Sequence, residues 1–189
     1  MNNKNNIVIL CGKSSSGKDT IARMLEKDHG YNFVISTTTR PIRPGESEKD
    51  PYYFVNNDDF QKLIEKEKLI EYREYHTLVN NVPDIWYYGV EKKEIDPNKK
   101  YVVVLDIVGL KEFNKFFKER IASFYLDVDD QTRKDRCIAR GDYDDSEFNR
   151  RLIDDEKVFS PDIISANVDH TINTYDKFDV VNFINEIIA

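Results

Sequence analysis

The sequence predicts an α/β fold, a parallel sheet flanked by helices, and three observations carry the prediction. The apolar run Ile7-Val8-Ile9-Leu10-Cys11 is short, β-branched and continuous, as suits a strand buried on both faces. A glycine-bearing turn follows, Gly12-Lys13-Ser14-Ser15-Ser16-Gly17-Lys18-Asp19, and then Ile21, Met24 and Leu25 fall at helical spacing. Two further buried-strand runs, Tyr101 to Asp106 and Ile121 to Val128, each lead into helical patterns. Strand and helix in alternation read as a sheet of about five parallel strands.

The turn after the first strand holds the chemistry. Its two glycines and Lys18 are those of a P-loop, which aims successive backbone N–H groups at a phosphate chain. The helix beginning at Gly17 or Lys18 adds its positive dipole end, and Lys18 can reach the terminal phosphates. Phosphoryl transfer or nucleotide hydrolysis is implied. Asp19 stands where a hydroxyl usually contacts Mg²⁺; a carboxylate is also a hard oxygen ligand, and Thr20 is adjacent.

The remaining elements are legible in order. His29-Gly30 closes the first helix as a C-cap, and Tyr31 to Ser36 reads as the second strand. Thr37 to Glu46 is polar, with Arg40 and Arg43 on a segment stiffened by Pro41 and Pro44, a candidate phosphate fork. Phe60, Leu63 and Ile64 share one face of a helix starting near Asn57 or Asp58, and Leu69 to Tyr75 alternates as a strand. Asp106 ends its strand in the place where a P-loop fold commonly puts a magnesium or substrate ligand, so Asp19 and Asp106 are the candidate metal ligands. Leu110, Phe113, Phe116 and Phe117 mark another helix, a further helix runs from about Asp129, and the last starts near Asp176.

Composition excludes several classes. A chain of 189 residues suits one domain with a mobile insertion. The net charge of -7 argues against nucleic acid as a partner, though not against nucleotides. Without a long apolar segment, a soluble cytoplasmic protein with no membrane partner is expected. Cys11 and Cys137 are read as reduced packing residues, and His29, His76 and His170 have no metal-ligand spacing.

Arg40-Pro41-Ile42-Arg43-Pro44-Gly45-Glu46, Tyr52-Tyr53-Phe54-Val55, Leu69-Ile70-Glu71-Tyr72, Tyr87-Tyr88-Gly89, Val103 to Ile107, Arg136 to Gly141 and Asn149-Arg150-Arg151-Leu152 occur in order. Together they resemble the guanylate kinases over nearly the whole chain. The resemblance implies a core of 1–36, 94–139 and 160–189, a monophosphate-binding subdomain over about 37–93, and a lid over about 140–159. ATP and a nucleoside monophosphate would be the substrates, with Mg²⁺, in a monomer or homodimer. Gly12, Ser14, Ser15, Ser16, Gly17, Lys18, Asp19, Thr20 and Asn173 would bind ATP. Lys18, Arg136, Arg140 and Arg151 would serve the transferring group, Arg151 being preferred to Arg150 because Leu152 follows it. Ser36, Arg40, Arg43, Tyr52, Glu71, Tyr88, Gly89 and Asp106 would bind the acceptor.

Guanine explains Glu71, because one carboxylate can accept both N1–H and the 2-amino group whereas adenine offers an acceptor at N1. Ser36 can donate to O6. The chain departs from the family at Val90, where Ser or Thr is usual, and after Asp106, where a second aspartate is missing. The stretch His76 to Trp86 makes the interval between Glu71 and Tyr88 about eight residues longer than the family's, as an anchored loop. These departures leave open a kinase of another nucleotide or of a phosphorylated sugar, and a non-catalytic protein-binding module of the same fold.

Overall fold

The computed structural model describes residues 6–43, 45–79, 82–96, 98–141, 143–173 and 176–188. Pro44, named above on the candidate phosphate fork, lies outside them. In chain order the elements are β1 (Ile7–Cys11), α1 (Lys18–His29), β2 (Asn32–Phe33), β3 (Ser36–Thr38), β4 (Ser47–Glu48), β5 (Pro51–Phe54), α2 (Asn57–Glu65), β6 (Leu69–Val79) and β7 (Val82–Glu91). There follow β8 (Tyr101–Val104), α3 (Ile107–Phe117), β9 (Ile121–Leu126), α4 (Asp130–Arg140), α5 (Asp145–Val158), α6 (Pro161–Asn167), β10 (His170–Ile172) and α7 (Lys177–Ile188). They form two compact units, Met1–Phe33 with Lys100–Ala189, and Val34–Lys99.

The first unit is built on a parallel sheet of five strands in the order β10-β9-β1-β8-β2. Its centre is β1, whose five residues are all 0% exposed, which is why that stretch reads as a continuous apolar run. Val8 and Leu10 pack with Ile21, Ala22 and Leu25 of α1 and Val181, Ile184 and Ile188 of α7. Full burial of such a side chain contributes roughly 2 kcal/mol. Helix ends are set locally: Gly30 closes α1 in the left-handed region at φ 71°, and Asp129 caps α4 by accepting the Thr132 N–H.

The second unit carries a mixed sheet in the order β4-β5-β3-β7-β6, with β3 parallel to β5 and antiparallel to β7. Asn56 caps α2, accepting from the Asp59 N–H, and Phe60 of that helix is fully buried against Tyr72 and Tyr87.

Two expectations are corrected and one element is added. Tyr31 to Ser36 is not one strand: Phe33 pairs with Val102 and Ser36 with Tyr52, so the chain changes sheets there. Residues 76–79 and 82–86, expected as part of a loop, are strand, because β6 and β7 pair in register from Arg73↔Tyr88 through His76↔Ile85 to Val79↔Val82. Pairing satisfies the backbone donors and acceptors that a long loop would leave to water. The helix α6 adds an element, announced by Ser160-Pro161: the Ser160 hydroxyl accepts the Ile163 N–H, and proline stands in the first turn.

Candidate active site

The first unit shapes the glycine loop. A Cβ on Gly12 would meet the Ser16 hydroxyl at 2.7 Å and the Leu126 carbonyl at 3.1 Å, so the close passage of the loop over β9 needs glycine there. Gly17 starts α1 with φ 99°, again open to glycine at little cost. Lys18 lies back along the loop, donating to the carbonyls of Gly12 (2.7 Å) and Lys13 (2.9 Å) and to the Ser16 hydroxyl (3.3 Å). Burial lowers its pKa, while the charges of Asp19 and Asp155 work in the opposite direction.

Two helices reach the loop from outside. Arg136 donates to the carbonyls of Ser16 (2.8 Å) and Ser15 (3.3 Å), and Arg140 to the Ser15 hydroxyl (3.3 Å). From α5, Arg151 donates to the Ser14 hydroxyl at 3.3 Å, whereas Arg150 bonds Glu147 and Asp154 within its own helix. Of the two adjacent arginines, Arg151 is thus the one at the loop. A pocket of about 300 Å³ lies beside it, lined by residues 15–21, by Leu126, Val128, Arg136 and Arg140, and by Lys177 and Val180 of α7. Asp19 and Thr20 are exposed on its rim, in the first turn of α1. Asn173 is exposed just after β10.

Asp106 behaves differently from the other candidates. One carboxylate oxygen caps α3, accepting the Gly109 N–H at 2.7 Å. Among the described residues no three His, Cys, Asp or Glu side chains gather to hold a metal. Cys11 and Cys137 are both free and buried, and burial pushes the Cys11 thiol well above the ordinary thiol range. Cys137 lies 2.9 Å from the Ser15 hydroxyl, at the back of the loop.

In the second unit, strand register decides what faces what. Ser36 pairs with Tyr52, Thr38 with Tyr88, Tyr88 with Arg73, and Glu71 with Val90. Paired residues share a face and alternate residues along a strand return to it, so Ser36, Tyr52, Tyr88 and Glu71 lie on one side of the sheet. The rings of Tyr52 and Tyr88 meet edge-on with centroids 5.7 Å apart. Glu71 is buried. Gly89 belongs to the opposite face, and an added Cβ there would meet the Glu71 carbonyl at 3.0 Å and the Phe60 ring at 3.1 Å. Its glycine is a packing requirement.

Arg40 is 3% exposed and held on three sides. Its guanidinium makes a two-point pair with Glu46 (3.0 and 2.9 Å), donates to the Pro41 carbonyl, and lies 5.4 Å from the Tyr52 ring centre. Glu46 also accepts the Arg43 backbone N–H at 2.9 Å. Burial pushes the Glu46 carboxyl up, but the bonds from Arg40 and Arg43 outweigh it and hold the pKa below the ordinary range.

A family model for guanylate kinase matches residues 4–162. The guanylate kinase of Prochlorococcus marinus (strain MIT 9312) is 30% identical over 182 residues, spanning 90% of this chain and 95% of the relative. That of Trichodesmium erythraeum (strain IMS101) is 26% identical over 182 residues, spanning 90% and 94%. The chain belongs to the guanylate kinase family. It is therefore an enzyme of the nucleoside monophosphate kinase type. The crystal structure of guanylate kinase from Anaplasma phagocytophilum shares its fold, with a TM-score of 0.65 at 23% identity over 97% of this chain and 84% of that one.

Within this guanylate kinase family member, sequence reasoning passed over five residues that the structure brings to these groups. Glu46 was visible in the motif but not as the partner of Arg40. Arg73 shares the face of Glu71, a position that even spacing along the strand could have shown. Lys177 lines the loop pocket from α7. Arg133 and Asp155, 22 residues apart on two helices, pair beside the loop; spacing along α4 puts Arg133 on the face of Arg136 and Arg140, but no local signal marks Asp155 as its partner.

Proposed function

We propose that the enzyme transfers the γ-phosphoryl group of ATP to GMP or dGMP, giving GDP or dGDP. The observation that carries this reading is the single sheet face on which buried Glu71 stands with Ser36, Tyr52 and Tyr88. Such a face offers one carboxylate for the two adjacent donors of guanine, a hydroxyl for O6, and phenolic donors for a phosphate beside Arg40 and Arg43. The Glu46 pair fixes the Arg40 fork in advance, which lowers the ordering cost of gripping the acceptor phosphate.

On the ATP side, the amides of the loop, Lys18, and Arg136, Arg140 and Arg151 supply positive charge where the transferring group develops negative charge. The acceptor phosphate is itself the nucleophile, so positioning and charge neutralisation suffice and no general base is needed. The magnesium ion that accompanies ATP takes hard oxygen ligands and keeps several waters, and Asp19 and Thr20 on the pocket rim fit that demand. When bound, such an ion neutralises charge on the phosphate oxygens.

Coupled ADP release with ATP and Mg²⁺ across GMP, dGMP, AMP, dAMP, CMP, UMP and dTMP tests the proposal. Preference for GMP and dGMP is expected, and turnover confined to other acceptors overturns it. A second reading keeps the transfer and changes the acceptor. It is favoured by Val90, which is fully buried and paired with Glu71, so that an apolar side chain stands beside the base-reading carboxylate.

A further inference from the structure

Helix α4 presents three arginines to the loop, at positions 133, 136 and 140, the spacing that puts side chains on one helix face. They reach neighbouring loop residues: Arg133 the Ser14 carbonyl (3.1 Å), Arg136 the carbonyls of Ser15 and Ser16, Arg140 the Ser15 hydroxyl. Burial separates them. Arg140 is exposed and Arg136 partly buried, but Arg133 is 1% exposed, and neither Arg133 nor Asp155 lines the loop pocket.

Arg133 is anchored by carboxylates, Asp155 at 2.8 Å and Asp130 at 2.5 Å. Asp155 in turn accepts the backbone N–H of Ser14 at 3.1 Å. The pair therefore grips two successive peptide planes, one through the Ser14 N–H and the next through the Ser14 carbonyl. The residue that follows is Ser15, a non-glycine residue in the left-handed region at φ 62°. Such a conformation persists where its surroundings over-determine it. Stability alone does not account for the pair, because a buried ion pair is often no better than an apolar one, and Arg133 Nε is buried without a hydrogen-bond partner among the described residues.

We infer that Arg133 and Asp155 are positioning residues that hold the left-handed turn at Ser15 and through it aim the following loop amides at the phosphates of ATP. The inference rests on the loop being the phosphate site of the reading above. Neither residue touches substrate; both act through the backbone of Ser14.

The test is the double variant Arg133→Met with Asp155→Leu, which removes both charges together and so avoids leaving one buried alone. Its melting temperature is expected to stay near that of the parent. Its kcat falls on the order of a hundredfold while the acceptor KM stays unchanged, as a misplaced loop requires. Its Ser14 amide exchanges faster with solvent. Adding Ser15→Gly, which takes the left-handed conformation without strain, restores part of the lost kcat. Parental kcat and exchange in the double variant, or a loss that Ser15→Gly leaves untouched, overturns the inference. Should the double variant fail to fold, Asp155→Ala carries the same rescue test, because it removes the acceptor of the Ser14 N–H while Asp130 still pairs with Arg133. If the parent enzyme turns over none of the monophosphates, the acceptor reading falls, while Ser14 exchange and ATP affinity in the variants still decide the role of the pair.

Discussion

Charge partners give individual residues their meaning. Lys18 spends its hydrogen bonds on its own loop, and phosphates would replace those carbonyls as acceptors. Lys18→Ala is expected to lower kcat on the order of 10²-fold or more while circular dichroism and melting stay near the parent's. Retained turnover would remove Lys18 from the transfer step. For Glu71→Gln, one of two accepted hydrogen bonds becomes a clash of donors, so the KM for GMP should rise about tenfold or more, with non-guanine acceptors unaffected. Equal losses across acceptors would take Glu71 out of base reading. Glu46 gives a pH signature whose sign is fixed by its lowered pKa. Its stabilisation is fully present above the unfolded carboxylate value of about 4.3 and is lost as pH falls through the lower folded value. Glu46→Gln should therefore be less stable than the parent by about 2 kcal/mol at neutral pH, with the difference closing in acid, as followed by urea unfolding at several pH values.

Among the elements, the paired strands β6 and β7 extend the face proposed for the acceptor outward from Glu71 to Arg73, Tyr75 and Trp86. Tyr75 meets the Tyr88 ring edge-on at 6.4 Å, and Trp86 donates its indole N–H to Asp84 at 3.0 Å. Since such a ring contact contributes about 1 kcal/mol, Tyr75→Ala should raise the acceptor KM roughly fivefold and leave the ATP KM alone. An unchanged acceptor KM would make these strands mere scaffolding. The glycine loop, the five parallel strands and the helix starts near Asn57 and Asp129 were legible because each is written in contiguous residues. The strand pairing from His76 to Trp86 was not, since its apolar and polar residues alternate around Pro83 and Asp84 in a way that reads equally as a loop. The break between Phe33 and Ser36 was illegible for a different reason: it depends on which distant strand each half meets. Arg133 and Asp155 look like solvated helix charges until the two helices are placed together.

For the molecule as a whole, a chain with net charge -7 binds two anions by concentrating its cations locally. Lys18, Arg133, Arg136, Arg140 and Arg151 gather around the loop in the first unit, and Arg40 with Arg43 lies in the second. The groups proposed to read the base, Glu71 and Ser36, belong to the second unit, and the pocket beside the loop is lined by the first alone. Donor and acceptor binding should then separate cleanly when each ligand is titrated alone. Calorimetry of a non-hydrolysable ATP analogue is expected to give the same Kd for Glu71→Gln as for the parent. Calorimetry of GMP is expected to give the same Kd for Lys18→Ala. If either variant weakens the other unit's ligand as much as its own, the division of labour between the units is wrong, and base reading and phosphate gripping would have to be coupled through the fold.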